Sequence, residues 1–403
     1  MRSLYRNCFY AALLCLVCLV FRIDARHPAF SEERNDWTWD VLVVPPDEGW
    51  ETTAGRSIQN TLLWHRDEIS ESGDGVRGRD INFIFLPPLN EDSVKNFVLQ
   101  PTAASMAVLS FASSQVDRDL IDVVSPTGLP LMLAGGEGVF FYRQGRLLPF
   151  LFSLDLFRDY RCRAFAQYAK KILPSQTRLG IIATRFTLNE EREAKIASDL
   201  LTEKDFMPMP FWVDSSVVNT FELVQQELTS YSDGVLISYV GGMATKELWR
   251  GMMNLRSSYR LWYGGIPDSS FLSFSALLFA DQSLFLETTG GFETLKRSFW
   301  TSRTVSVEDK SAAARANALV LWLQSGIHAI QGDLNSMPRH SAVADLLVRL
   351  KNVKDIPFGN QSLTIDPATH RPRERDVHIL ETRNRKFYIL DTLRIEGLGY
   401  YDY

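Results

Sequence analysis

The sequence predicts an α/β protein of two lobes with similar plans, each a parallel sheet covered by helices on both faces. Two observations carry this expectation. Short continuous runs of Val, Ile, Leu and Phe alternate with segments of helical spacing along most of the chain. Strands buried on both faces, and the helices that cross between them, read in this way. The alternation then restarts near residue 155, so the plan repeats.

The elements follow in order. A strand over 41–44 precedes a helix over 53–70, whose Ile58, Leu62, Leu63 and Ile69 recur at helical spacing. Strands over 81–86, 106–111 and 129–133 come next, with a helix around 117–124 between the last two. In the second series a helix over 164–173 stops before Pro174, and a strand over 179–183 leads to a charged amphipathic helix over 189–201. Strands over 209–213, 234–240 and 260–263 alternate with helices over 219–231 and 245–255. Two further helices are expected over 311–330 and 341–350, and short strands over 363–365, 377–382 and 386–393.

The 403 residues suffice for two domains with full cores, and the formal net charge of −5 lacks the basic footprint of a nucleic-acid partner. Arg2 and Arg6 precede an apolar run over 9–21, and Ala25 follows as a small residue. This is the layout of a secretory signal peptide over 1–25. The run is shorter than the about 20 residues that cross a bilayer, although an uncleaved anchor is the alternative. Leu14 and Val17 precede Cys15 and Cys18, which does not suit a lipid-anchor signal. Cys8, Cys15 and Cys18 lie in this segment, leaving Cys162 alone beyond it, with no intramolecular disulfide and no cysteine cluster for a metal. The expected location is periplasmic or otherwise extracytoplasmic.

The residues give no catalytic constellation. There is no Gly-x-Ser-x-Gly elbow, no P-loop and no paired-histidine zinc motif. The glycine-rich AGGEGVFF lacks dinucleotide-binding spacing. His65, His328 and His378 each stand alone and read as structural residues. We therefore expect no enzyme activity, no cofactor and no metal.

An open parallel sheet binds ligands outside the carboxyl ends of its strands. Ser113 and Ser114 sit at such an end, where a strand hands over to a helix. They read either as a helix cap or as an anchor for an anion at the free N–H groups. Gly135 and Gly136 let a backbone approach a ligand closely, or make a tight turn. Trp50, Phe186 and Tyr239 stand where aromatics would close over an apolar ligand part, or pack as core. Asp268, in GGIPDSS, is placed to hold an ammonium group, or to cap a turn.

Four stretches carry a resemblance: AGRSIQNTLLWHRDEISESGDGVRGRDINFIF, VLSFASS with TGLPLML, LPFLFSLDLFRDYRCRAFAQYAKKIL, and IPFGNQSLTIDPATHRPRERDVHILE. In order and spacing they resemble the type 1 periplasmic binding proteins, in the branch of the leucine/isoleucine/valine-binding proteins. In the first stretch the match falls on Glu68-Ile69, Gly73, Gly75-Val76 and Gly78-Arg79. The resemblance implies two lobes joined by three crossovers, with the ligand between them. The first lobe would take 38–153 plus 288–350, and the second 154–287 plus 351–403.

In that family the Ser-Ser turn binds the carboxylate of an amino acid. Carried over, this role falls on Ser113 and Ser114, with contacts from the next strand's end at Ala134 and Gly136. Phe186 and Asp268 match the second lobe's aromatic and acid. The sequence departs from the family at Gly136, which has no hydroxyl, at Phe186 in place of tyrosine, and in the first-strand loop PPDEGWETTAG.

The resemblance implies an exported protein that captures a small polar solute, an amino acid or similar, by hinge closure, and delivers it to the membrane permease of an ABC importer. Two alternatives stand beside it. One is a sensor reporting a ligand to a membrane receptor or kinase. The other is an exported α/β enzyme, which would need a nucleophile and base that the residues do not supply.

Overall fold

The computed structural model describes residues 38–73, 75–95, 97, 105–135, 141–143, 146–156, 159–184, 188–213, 234–239, 260–264, 284–287, 309–358, 361–383 and 386–396. The first series comprises β1 (Trp39–Val44), α1 (Thr53–Glu71), β2 (Ile81–Phe85), α2 (Glu91–Lys95), β3 (Ser105–Ser110), α3 (Ser114–Val124) and β4 (Leu131–Leu133). A short hairpin of β5 (Tyr142–Arg143) and β6 (Arg146–Leu147) then leads to β7 (Leu151–Ser153). The sheet runs β2-β1-β3-β4-β7 with every neighbour parallel. All residues of β1 and β3 are buried, which explains their unbroken apolar runs. The covering helices are amphipathic: Ile58, Leu62, His65 and Ile69 of α1 and Val116, Leu120, Ile121 and Val124 of α3 face inward.

The second series comprises α4 (Tyr160–Ile172), β8 (Arg178–Thr184), α5 (Leu188–Glu203), β9 (Met207–Val213), β10 (Val235–Ser238), β11 (Arg260–Tyr263) and β12 (Leu284–Glu287). The chain continues as α6 (Lys310–His328), α7 (Arg339–Leu350), the hairpin of β13 (Ile356–Phe358) and β14 (Gln361–Leu363), and the pair of β15 (Ile365–Asp366) and β16 (Arg371–Pro372). It ends in the long hairpin of β17 (Glu374–Arg383) and β18 (Lys386–Glu396). The second sheet runs β18-β17-β12-β11-β10-β8-β9. It is parallel from β9 to β12, and β17 and β18 are added antiparallel.

Two hydrophobic clusters accompany the two sheets. One gathers Val41, Leu109 and Leu133 with Leu319 and Trp322 of α6 and Leu346 of α7. The other gathers Phe165, Ile181, Ile237 and Trp262 with Val377, Ile379 and Ile395. The fold is thus α/β in two parallel-sheet lobes, as the alternation predicts. Ile356, Phe358, Leu363 and Ile365, assigned by the sequence to the second lobe, pack in the first cluster. Helix α6 is tied to α1 by His65, whose Nε2 hydrogen-bonds Asn317 Oδ1 at 2.9 Å.

Some boundaries differ from the expected ones. Helix α4 begins at Tyr160 rather than 164, because Tyr160 and Cys162 extend its buried face. Strand β9 begins at Met207 although it contains Pro208 and Pro210. Among the described residues it is an edge strand, paired with β8 alone, where the missing proline N–H groups leave no ladder bond unmade. The signal segment 1–25 and the helices expected over 219–231 and 245–255 lie outside the described residues. Among the described residues no helix is long and apolar enough to cross a membrane.

Candidate ligand-binding site

The first sheet has strand order 2-1-3-4-5 when its strands are ranked along the chain. At the β1/β3 boundary this order reverses, the loops after the two strands leave in opposite directions, and a crevice opens at their carboxyl ends. The loop after β1 is fixed by short-range bonds. Gly49 N–H donates to Pro46 O at 2.8 Å, closing a turn around Asp47 and Glu48. Gly49 has φ +89°, and a Cβ there would stand 2.9 Å from Pro88 Cγ, so glycine is required on both counts. Thr52 caps α1, with Oγ1 accepting from Gly55 N–H at 3.0 Å, and its hydroxyl donates to Gly49 O at 2.9 Å.

Trp50 pins this loop to the end of β2. Its indole N–H donates to Leu86 O at 2.8 Å, and its ring meets Phe85 edge-on with centroids 5.1 Å apart.

The loop after β3 is polar and layered. Phe111 N–H completes the ladder to Val44 O at 3.0 Å. Behind it, the Ser110 hydroxyl donates to Asp117 Oδ1 at 2.5 Å. Ser113 is the N-cap of α3: its Oγ accepts from Val116 N–H at 3.4 Å, and Ser114 is the first helical residue. Ser113 is exposed, and its own N–H donates to Asp47 Oδ1 at 2.8 Å. Asp117 is fully buried, and its Oδ2 has no partner among the described residues. Burial pushes its carboxyl up to about 8, against the Ser110 hydrogen bond and with help from the Asp47 charge.

The end of β4 is bolted to the first crossover. Ala134 N–H donates to Ser110 O at 2.8 Å, and its carbonyl accepts from Arg315 of α6. Gly135 O accepts from Ser153 Oγ at 2.5 Å. Next to Ser153 in the crossover, Asp155 takes Arg315 at 3.1 Å and Arg375 of β17 at 2.7 Å. Burial works to raise the Asp155 carboxyl, but the Arg315 and Arg375 guanidinium groups overcome it and hold it below the usual range. Arg371 and Arg375 also donate to Leu156 O and Leu154 O, at 2.9 and 3.1 Å. Chain entering the second lobe and chain returning to it are thus held together by buried charge.

In the second lobe Tyr239 follows β10 and is 4 % exposed, within the core. A Cβ on Gly264 would stand 2.6 Å from Tyr239 Cδ1, so the ring lies directly on that glycine. Burial, with Cys162 and Glu193 nearby, raises the Tyr239 hydroxyl well above its usual range. The Cys162 thiol is buried and free, and burial raises it also.

Of the residues named from the sequence, the structure gathers Trp50, Ser113 and Ala134 at the first lobe's strand ends, and packs Tyr239 in the second core. Gly136, Phe186 and Asp268 lie outside the described residues. Sequence reading missed Asp47, Asp117, Asp155, Arg315 and Arg375. The one available signal was the unusual PPDEGW loop, which holds Asp47. Among the described residues no three metal-ligating side chains come together.

No protein-family model and no curated protein matches the chain. Solved structures do match it in fold. A leucine-binding protein from Thermotoga maritima superposes with a TM-score of 0.64 at 12% identity, covering 88% of this chain and 99% of that one. A solute-binding protein of an ABC transporter from Rhodopseudomonas palustris, in complex with benzoate, gives 0.61 at 12% identity, over 89% and 97%. A type 1 periplasmic binding protein from Bordetella pertussis gives 0.60 at 15% identity, over 87% and 99%. The chain has the type 1 periplasmic binding protein fold, and at these identities the likeness is one of fold.

Proposed function

We propose that the chain is an exported, non-enzymatic solute-binding protein that captures a small polar molecule between its lobes. The captured solute passes to the membrane permease of an ABC importer. The observation that carries this reading is the meeting of the β1 and β3 loops at the first sheet's switch point. It supplies a polar, helix-capped strand end in a fold whose solved examples include proteins named for leucine binding and solved with benzoate. The two lobes correspond to the two sheets, and the crossover at Asp155 belongs to their hinge. Closure adds contacts from the second lobe and excludes water from the solute.

Within this reading Ser113, Ser114, Ala134, Gly136 and Trp50 serve the first lobe, and Phe186, Tyr239 and Asp268 the second. Tyr239 then acts as packing beneath the contact surface, since its ring is covered. Native mass spectrometry of the freshly purified chain tests the reading. A co-purified small molecule at one per chain, lost on unfolding and rebound on refolding, is the expected result. A chain that carries none, and that no solute in a broad thermal-shift screen stabilises, contradicts it.

A further inference from the structure

The donor at which a carboxylate ligand would dock in the first lobe is already engaged. Ser113 is the N-cap of α3, at the helix end where unsatisfied N–H groups and the helix dipole favour an anion. Asp47 Oδ1 stands 2.8 Å from it. That carboxylate comes from a built turn: the Pro46–Gly49 bond closes it, Gly49 φ +89° shapes it, and Trp50 anchors it to Leu86. A second carboxyl lies beneath the same opening, since Asp117 is fully buried in the first turn of α3, joined to Ser110, with Oδ2 unpartnered among the described residues.

We propose that Asp47 is a specificity-determining residue whose carboxylate fills the anion position at the α3 N-terminus, so that the solute presents a neutral or cationic group there. The assignment rests on the solute-binding reading. An incoming carboxylate would have to displace Asp47 from Ser113 N–H and sit beside its charge. A hydroxyl, amide or ammonium group instead meets a carboxylate acceptor that is already oriented, with a second lone pair free for it. The first lobe thus selects amines, amides or polyols over free acids at this end of the solute. Asp117, out of contact with solvent, supplies no competing charge while it holds its proton.

The test follows the Ser113 amide by 15N NMR in the full chain during titration with acetate, and in parallel with its neutral counterpart acetamide. These probes are small enough to reach the helix end whatever the shape of the solute. In the wild type, acetate leaves the Ser113 resonance in place. In Asp47→Ala it gives a saturable shift, at least about tenfold tighter than in the wild type, which corresponds to the about 1.4 kcal/mol of a decade in affinity. Asp47→Asn, which keeps an acceptor but removes the charge, falls between the two. Asp47 is exposed, so all three proteins keep their melting temperature.

Equal acetate response in wild type and Asp47→Ala overturns the assignment, and so does no response in either. Because acetate reports only on who occupies Ser113 N–H, either failure leaves solute capture standing. Conversely, absence of any co-purified or stabilising solute removes solute capture without altering the acetate result.

Discussion

Three residues past β3 of the first lobe Ser113 is exposed, whereas one residue past β10 of the second Tyr239 is buried. The ends of the two strands occupy equivalent places. In the first sheet Phe111 N–H bonds Val44 O at 3.0 Å and Ala134 N–H bonds Ser110 O at 2.8 Å. In the second, Tyr239 N–H bonds Ile182 O at 2.9 Å and Gly264 N–H bonds Ser238 O at 2.8 Å. Ser110 and Ser238, Phe111 and Tyr239, and Ala134 and Gly264 are therefore counterparts in sheets that share one parallel order.

At these counterparts the serines match and both aromatics pack on a core, Phe111 half-buried and Tyr239 buried. The first lobe uses its position to hold Asp117 and to expose the cap at Ser113. The second buries a tyrosine over a glycine. One frame thus carries a capped helix end in the first lobe and a buried tyrosine in the second, and function has to be read from side chains rather than from strand order.

The largest effect is expected where the lobes meet. Asp155→Ala leaves Arg375, which is 1 % exposed, without its carboxylate, and should cost about 3–5 kcal/mol in denaturant unfolding. A cost below about 1 kcal/mol would mean that the charge cluster does not hold the crossovers.

Next, Gly264→Ala drives a methyl into the Tyr239 ring and should destabilise by about 1–3 kcal/mol. The reciprocal Ala134→Gly should cost only about 0.5–1 kcal/mol. Equal costs for the two would remove the asymmetry between the lobes.

A third effect is a slope with pH. Folded Asp117 keeps its proton up to about 8, while the unfolded chain releases it near 3.8. Between those values the folded state binds more protons, so stability falls as pH rises. His370, buried against Phe152, acts in the opposite sense. Burial lowers it to about 4 from 6.5, so between those values the unfolded state binds more protons and stability rises with pH. Above 6.5 the Asp117 slope stands alone of the two. Asp117→Asn should abolish the loss of stability from pH 6.5 to 8, measured by unfolding at a series of pH values.

The smallest effect is expected of Tyr239→Phe. Its hydroxyl is buried with only the weakly bonding Cys162 thiol beside it, so removing it should change stability by no more than about 0.5 kcal/mol and leave solute affinity alone. A tenfold loss of affinity would return Tyr239 to the contact surface.

Much of the fold was legible because strands buried on both faces appear as unbroken apolar runs, as in VLVV of β1 and MAVL of β3. The cap at Ser113 was equally local, needing only a strand end followed by helical spacing. What stayed hidden was non-local. Asp47 reaches Ser113 across 66 residues, and Asp155 reaches Arg315 and Arg375 across 160 and 220. No periodicity records such pairs.

In the proposed function the solute sits at the first lobe's switch point. Hydrogen exchange of the full chain, with and without the small molecule identified by native mass spectrometry, tests it most directly. The account predicts protection of the amides at 47–50 and 111–116, around the Asp47–Ser113 contact. Protection confined instead to the groove lined by Lys195, Asp199 and Trp212 on the second lobe would contradict it.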